Sequence, residues 1–234
     1  MINLEPRFAV FPCMLLLLLL SMFSTTVLSA ELAGKVEAVT GTVWAQDSEG
    51  IRRQLEEGSS FYVNDLLITE ADSNIQVRFQ DDTKFYMGEE AELLIQDFIY
   101  KKPEKENSFS AKILRGTFRF ISGLIASARP DSMEVQTSVA TIGIRGTHVV
   151  GEADSTSATI ILMEPEGEDQ DTSILVANEY GSVVIDKPGY GTEIPDQYSP
   201  PSPPRRMRLQ TIDNIMRSMQ SIQRVNIPRP RIPR

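Results

Sequence analysis

Ile75-Gln76-Val77-Arg78-Phe79 and, shortly after, Thr83-Lys84-Phe85-Tyr86-Met87 decide how this chain is read. Ile75, Val77 and Phe79 share one side of the first run, and Phe85 and Met87 one side of the second. This is the period-two pattern of a strand with one face turned inward. Upstream, Val36-Glu37-Ala38-Val39 and Gly41-Thr42-Val43-Trp44 are of the same kind, and Gly, Asp, Asn and Ser break the runs throughout. No stretch in 36–184 sustains apolar residues at i, i+3 and i+4, and the runs lie too close together for helical crossovers. The region is therefore predicted to be all β.

A local pattern recurs at Gly41-Thr42, Gly116-Thr117, Gly146-Thr147 and Gly181-Ser182, each placing glycine and a small hydroxyl residue before a β run. Glycine permits a tight bend and the hydroxyl bonds the turn it leaves. The intervals between the glycines are unequal, so these are repeated corners and not a strict repeat. A β-solenoid-like or wrapped sheet would use such corners, and so would a sandwich or open barrel. Two polar segments, 101–108 and 164–171, read as surface loops.

The chain has 234 residues, 41% hydrophobic and 24% charged, the composition of a protein that buries a core. Residues 1–30 read as an export signal. Arg7 precedes an apolar segment with six consecutive leucines, and a small, polar stretch ends at Val27-Leu28-Ser29-Ala30. Cleavage after Ala30 is expected, and the competing reading is an uncleaved inner-membrane anchor. Cys13, the one cysteine, precedes the leucines, so the processed chain would hold no thiol for a disulfide, a nucleophile or a metal.

Charge is divided unevenly. Eight arginines against Asp213 give residues 199–234 a charge of +7; Glu5 and Arg7 cancel, so the total of −9 leaves −16 on residues 31–198. Such a body repels nucleic acid, and only the tail would seek an anionic surface. Tyr198-Ser199-Pro200-Pro201-Ser202-Pro203-Pro204 is expected to end the β body, with 199–208 forming a Pro/Arg-rich linker. Beyond it, Leu209, Ile212, Ile215, Met216, Met219 and Ile222 gather on one face of a short amphipathic helix predicted over 209–225. A Pro/Arg tail occupies 226–234. The helix is expected to dock on its own acidic body with salt-sensitive strength, with another chain or an anionic membrane surface as competing targets.

Taken in order, these strands resemble a FecR domain. The correspondence starts at Val36-x-x-Val39-x-Gly41-x-Val43. It continues through Leu55, Gly58, Asn64-Asp65-Leu66-Leu67-Ile68-Thr69 and Val77-x-Phe79-x-Asp81-Asp82-Thr83 to Met87-Gly88 and Leu93-x-Ile95. Its most specific part is Val135-x-Thr137 leading into Ala140-Thr141-Ile142-Gly143-Ile144-Arg145-Gly146-Thr147, similar to the family signature Gly-Val-Arg-Gly-Thr. The resemblance covers roughly residues 34–190. It implies an all-β, somewhat solenoid-like fold, no catalytic residues and recognition of a protein partner in the bacterial envelope. The family's regulators place a cytoplasmic sigma-factor-binding segment and a membrane helix before this domain. Here seven residues precede the apolar segment, so the expectation is a stand-alone exported domain, periplasmic or secreted, acting in signalling or scaffolding. The rival class is an envelope enzyme or glycan-binding protein.

Gly143-Ile144-Arg145-Gly146-Thr147 is the sharpest motif. Its glycines suit a strand corner with Arg145 bonded to loop carbonyls or an acidic neighbour, and its arginine suits a bidentate contact to a partner's carboxylate. His148 is the one histidine, and it reads as an ordinary strand residue, not a catalytic base. Asp81-Asp82 and Glu89-Glu90 read as turn and surface carboxylates. The acidic run 164–171 lacks the ligand arrangement of an EF-hand. No metal or cofactor is implied.

Overall fold

In the computed structural model, which describes residues 30–101, 106–146, 148–165 and 172–219, the alternating runs become strands of two facing sheets. The amino-terminal half supplies β1 (Leu32–Thr40), β2 (Val43–Gln46), β3 (Arg52–Gln54), β4 (Ser60–Tyr62), β5 (Leu66–Thr69), β6 (Asn74–Phe79), β7 (Lys84–Met87) and β8 (Glu92–Ile99). The long β9 (Ser108–Ile121) is followed by a one-turn helix α1 (Leu124–Ala128) and a 3-10 turn (Pro130–Ser132). The second half contains β10 (Met133–Gln136), β11 (Thr141–Arg145), β12 (His148–Ala153), β13 (Ala158–Met163), β14 (Ser173–Asn178), β15 (Gly181–Ile185), β16 (Tyr190–Ile194), β17 (Arg205–Arg206) and helix α2 (Leu209–Met219). The expected leader lies outside the described residues apart from Ala30.

Sheet I runs β4-β1-β6-β7-β9-β12-β13-β16-β17, and sheet II runs β3-β2-β5-β8-β9-β10-β11-β14-β15. From β6 on, the chain passes from sheet to sheet: β6–β7 in sheet I, β8 and the first half of β9 in sheet II, the second half of β9 in sheet I, β10–β11 in sheet II, β12–β13 in sheet I, β14–β15 in sheet II and β16–β17 in sheet I. The chain thus wraps back and forth around a flat core, the wrapped variant of the predicted solenoid-like fold. Antiparallel pairing prevails, and β9–β10 is the parallel exception among the described strands. A parallel pair needs a crossover, which explains α1, a helix too short to leave a periodic signal in the sequence.

β9 belongs to both sheets. Its first part pairs with β8 and β10 in sheet II, and from Gly116 onward it pairs with β7 and β12 in sheet I. Gly116 sits at φ +100°, and a Cβ there would lie 2.3 Å from the Cβ of Ala91. Only glycine fits both constraints. The enclosed faces carry Phe61, Phe79, Phe85, Phe98, Phe109, Phe118 and Phe120, which are all the phenylalanines after residue 30. Phe79 meets Phe61 and Phe109 edge-on, with ring centroids 5.0 and 4.8 Å apart, and Phe85 stacks on Phe120 at 5.9 Å. Such pairs add to the area term of burial.

Two expectations change here. Asp81 is fully buried and is no surface turn residue. Its carboxylate accepts hydrogen bonds from the Thr83 N–H (3.1 Å), the Thr83 hydroxyl (2.8 Å) and the Ile125 N–H (3.3 Å), while its carbonyl accepts from Leu124 N–H. It thereby ties the β6–β7 turn to the start of α1. Asp82, Glu89 and Glu90 are exposed, as expected. The prolines, too, do not hold the tail away from the body. Ser202 N–H donates to the Glu193 carbonyl and Ser202 Oγ accepts from Glu193 N–H, both at 3.0 Å. Thr192 Oγ1 donates to the Ser202 carbonyl at 2.7 Å, and Pro201 is buried. An edge strand needs a backbone donor at every second residue only, so Ser202 supplies it between Pro201 and Pro203. The body therefore extends past Tyr198.

Gly116→Ala is expected to cost about 3 kcal/mol or more, by strain and by contact with Ala91. Gly143→Ala, whose Cβ would stand 3.8 Å from its nearest neighbours, should stay within about 0.5 kcal/mol. Urea unfolding compares the two, and equal costs would refute the role given to the β9 bend. Asp81→Ala should lose about 2 kcal/mol by leaving buried N–H groups unpaired. Burial pushes the Asp81 carboxyl above its ordinary value of 3.8, outweighing the hydrogen bonds that lower it. The folded state then holds its proton longer than the unfolded chain, so this group costs stability as pH rises above about 3.8. The disadvantage of Asp81→Asn should accordingly shrink between unfolding curves at about pH 3 and about pH 7.

Candidate functional site

On the outer face of sheet II, β10, β11, β14 and β15 bring Glu134, Gly143, Leu175 and Val184 into one cross-strand row. Gly143 contributes no side chain, so the row dips between Glu134 and Leu175. The resulting groove, about 310 Å³ in volume, is rimmed by Asp131 and Glu134 on one side and by Arg145 and Ser173 at the end of β11. Outer strand positions are ordinarily polar, yet Leu175 is 46% and Val184 60% exposed. At the neighbouring hairpin tip, exposed Tyr180 meets Tyr198 edge-on at 6.4 Å.

The signature motif divides between core and surface. Ile144 is buried, and Gly146 adopts φ +51° at the corner where the chain leaves sheet II for sheet I. Thr147 lies outside the described residues. Arg145 is exposed on the last residue of β11, opposite Ser173. Among the described residues it makes no hydrogen bond or ion pair, so the carbonyl or carboxylate partner expected for a purely structural role is not found. Gly146 turns the chain at this corner, and Arg145 beside it is exposed.

His148 does not join this face. It is buried on β12, where Arg119 Nε–H donates to Nε2 at 2.8 Å and Nδ1–H donates to the Glu164 carbonyl at 2.9 Å. The Arg119 guanidinium lies over the Tyr86 ring at 4.8 Å. Both ring nitrogens are engaged, an arrangement that positions strands and leaves no lone pair for a base. Among the described residues no group of three or more His, Cys, Asp or Glu side chains gathers to hold a metal.

Helix α2 lies on the outer face of sheet I. Ile215 is buried with Val150, Ile161 and Met207, and Ile212, Met216, Met219 and Met163 pack around them. Ser218 Oγ donates to Thr117 Oγ1 at 2.7 Å. Leu209, expected on the docking face, is 76% exposed, because this cluster gathers residues from Ile212 to Met219 and leaves the first turn uncovered. Ile222 and the rest of the predicted helix lie outside the described residues. The contact is mainly apolar, with Arg205–Glu193 an ion pair at its approach, so the salt sensitivity expected from net charge gives way to burial. The sequence did carry a signal for this cover. Val149-Val150 and Ile160-Ile161-Leu162-Met163 break the alternation, because Val149, Ile160 and Leu162 face the core while Val150 and Ile161 face the helix.

Residues 65–165 match the family model described as FecR protein. Over these residues the chain matches a FecR domain. In the fold, the matched FecR segment runs from β5 to β13, so the groove joins FecR strands β10 and β11 to β14 and β15 beyond the match. Two crystal structures of a candidate anti-sigma factor from Parabacteroides distasonis ATCC 8503 are similar at 10% identity and a TM-score of 0.48. Each comparison covers 64% of this chain and 64% or 63% of the other. No curated protein matches the chain.

Ile215→Ala is expected to destabilise the protein by about 2 kcal/mol, and Leu209→Ala by less than about 0.5 kcal/mol. Denaturant melts at low and high NaCl should show the same gap, and a gap that closes in salt would return the docking to electrostatics.

Proposed function

We propose that this FecR-domain chain is a non-catalytic binding protein of the bacterial envelope that recognises a protein partner through the outer face of sheet II, in signalling or scaffolding. The observation that carries this reading is the placement of an exposed Arg145, unpaired among the described residues, beside the apolar Leu175–Val184 row. An apolar strip next to one charged anchor suits a partner segment with apolar side chains and a carboxylate, which arginine grips with two parallel hydrogen bonds. The engaged ring of His148 supports a binding module over an enzyme. Export rests on the leader-like residues 1–30 and on the domain family. No helix among the described residues is long and apolar enough to cross a membrane. Contact of α2 with an anionic membrane would require its apolar face to leave Val150 and Ile161, which disfavours that role. A glycan-binding reading draws on the exposed Tyr180–Tyr198 pair, since aromatic faces stack on sugar rings.

Capture from envelope extract tests the proposal. Arg145→Ala and Leu175→Asp should each weaken retention of one and the same protein, by about thirtyfold for a central anchor, with unfolding curves unchanged. A parent and an Arg145→Ala protein that capture it equally would place recognition elsewhere, and retention on surface polysaccharide lost in Tyr198→Ala would favour the glycan reading.

A further inference from the structure

β15 closes sheet II at one edge, and it pairs with β14 alone. The two-residue turn Glu179-Tyr180 makes Asn178 and Gly181 the hydrogen-bonded closing pair, and alternation then assigns Val176–Val183 and Ile174–Ile185 to the ladder. The N–H and C=O groups of Ser182 and Val184 therefore point away from the sheet, and among the described residues nothing bonds them. The other edges are guarded. β3 and β4 have three residues each, β3 carries Arg52 and Arg53, and β17 is two arginines behind a proline run. Short length, charge and proline are the devices that keep an edge from pairing. β15 has five residues, no charge, no proline and an exposed Val184.

We propose that β15 pairs antiparallel with β15 of a second copy of this chain, about a two-fold axis at Val183. In that register Ser182 of each copy exchanges backbone hydrogen bonds with Val184 of the other, so all four outward groups on each edge are used. Val184 of one copy comes diagonal to Val184 of the other, and each covers apolar surface that the monomer exposes. Charge selects this register and this occupant. Glu179 stands four residues before Val183 and Lys187 four residues after it, and both are exposed. The axis at Val183 brings Glu179 of one copy to Lys187 of the other, twice. Moving the axis by one residue sets Lys187 against Gly181 or Ala177 and loses both pairs. An edge built for a foreign strand would not need its own counter-charge at equal distance from its centre. A two-fold perpendicular to the sheet also turns both Arg145 grooves to the same side, making the assembly bivalent toward a partner.

Sedimentation of the full chain, isolated in the form its host produces, tests this. The parent should dimerise reversibly with concentration. Glu179→Lys and Lys187→Glu should each weaken the dimer about tenfold, since two ion pairs become two repulsions, and the double variant should recover the parent's affinity. Val184→Pro removes an outward N–H, leaves the β14 ladder intact and should abolish the dimer. If that variant fails to fold, the charge reversals decide. A parent that stays monomeric at every concentration, or a dimer that the single reversals leave unchanged, overturns the proposal.

Discussion

A single strand has to serve two sheets, and the backbone at Gly116 is what lets it. Up to Arg115, β9 is held by β8 and β10; one residue later it is held by β7 and β12. The change of plane needs a left-handed φ, and the approach of Ala91 leaves no room for a Cβ. Because β9 sits at the centre of both sheet orders, every other strand is positioned by addition outward from it. Phe79 of β6 then meets Phe98 of β8 and Phe109 of β9 across the gap between the sheets, while Phe85 and Phe120 stack as cross-strand neighbours within sheet I, and burial of these rings supplies the main favourable term in folding.

Closing the two layers raises secondary demands, each met by a specific contact. The return from the end of β9 to the start of β10 is covered by α1, and the buried Asp81 carboxylate fixes that helix to the β6–β7 turn. At the far side, the segment with Pro200 to Pro204 lies along β16, bonded through Ser202, and delivers Met207 and α2 to the outer face of sheet I. A helix of this length is marginal by itself in water, so Val150 and Ile161 are as much the reason for α2 as its own sequence. Full burial of Ile215 contributes on the order of 2 kcal/mol toward holding it there.

The two outer faces thus end up different. That of sheet I carries α2, while that of sheet II presents the groove beside Arg145 and the apolar Leu175 and Val184. The corner at Gly146 joins these halves, since it both passes the chain from one sheet to the other and sets Arg145 at its outer rim. The glycines of the motif thus shape the corner, and the arginine between them is left exposed.

Period-two alternation, spaced glycines and the motif ending at Thr147 were enough to establish an all-β wrapped body with a FecR resemblance and a helix near the carboxyl terminus. These features are local, and local spacing carries them. Asp81 could not be recognised as buried, because burial came from α1, which lies some forty residues downstream and has no periodic signal of its own. Pro200 to Pro204 looked like a spacer because proline removes donors, whereas an edge strand asks for few of them. Leu209 lies on the right helical face but at a turn left exposed, outside the apolar cluster of the described residues, a matter of helix placement and not of spacing. The groove was invisible for the same reason. Glu134, Gly143, Leu175 and Val184 are remote in sequence and become neighbours only through register, so the sequence determined which residues alternate, and the packing of strand on strand decided which of them share a surface.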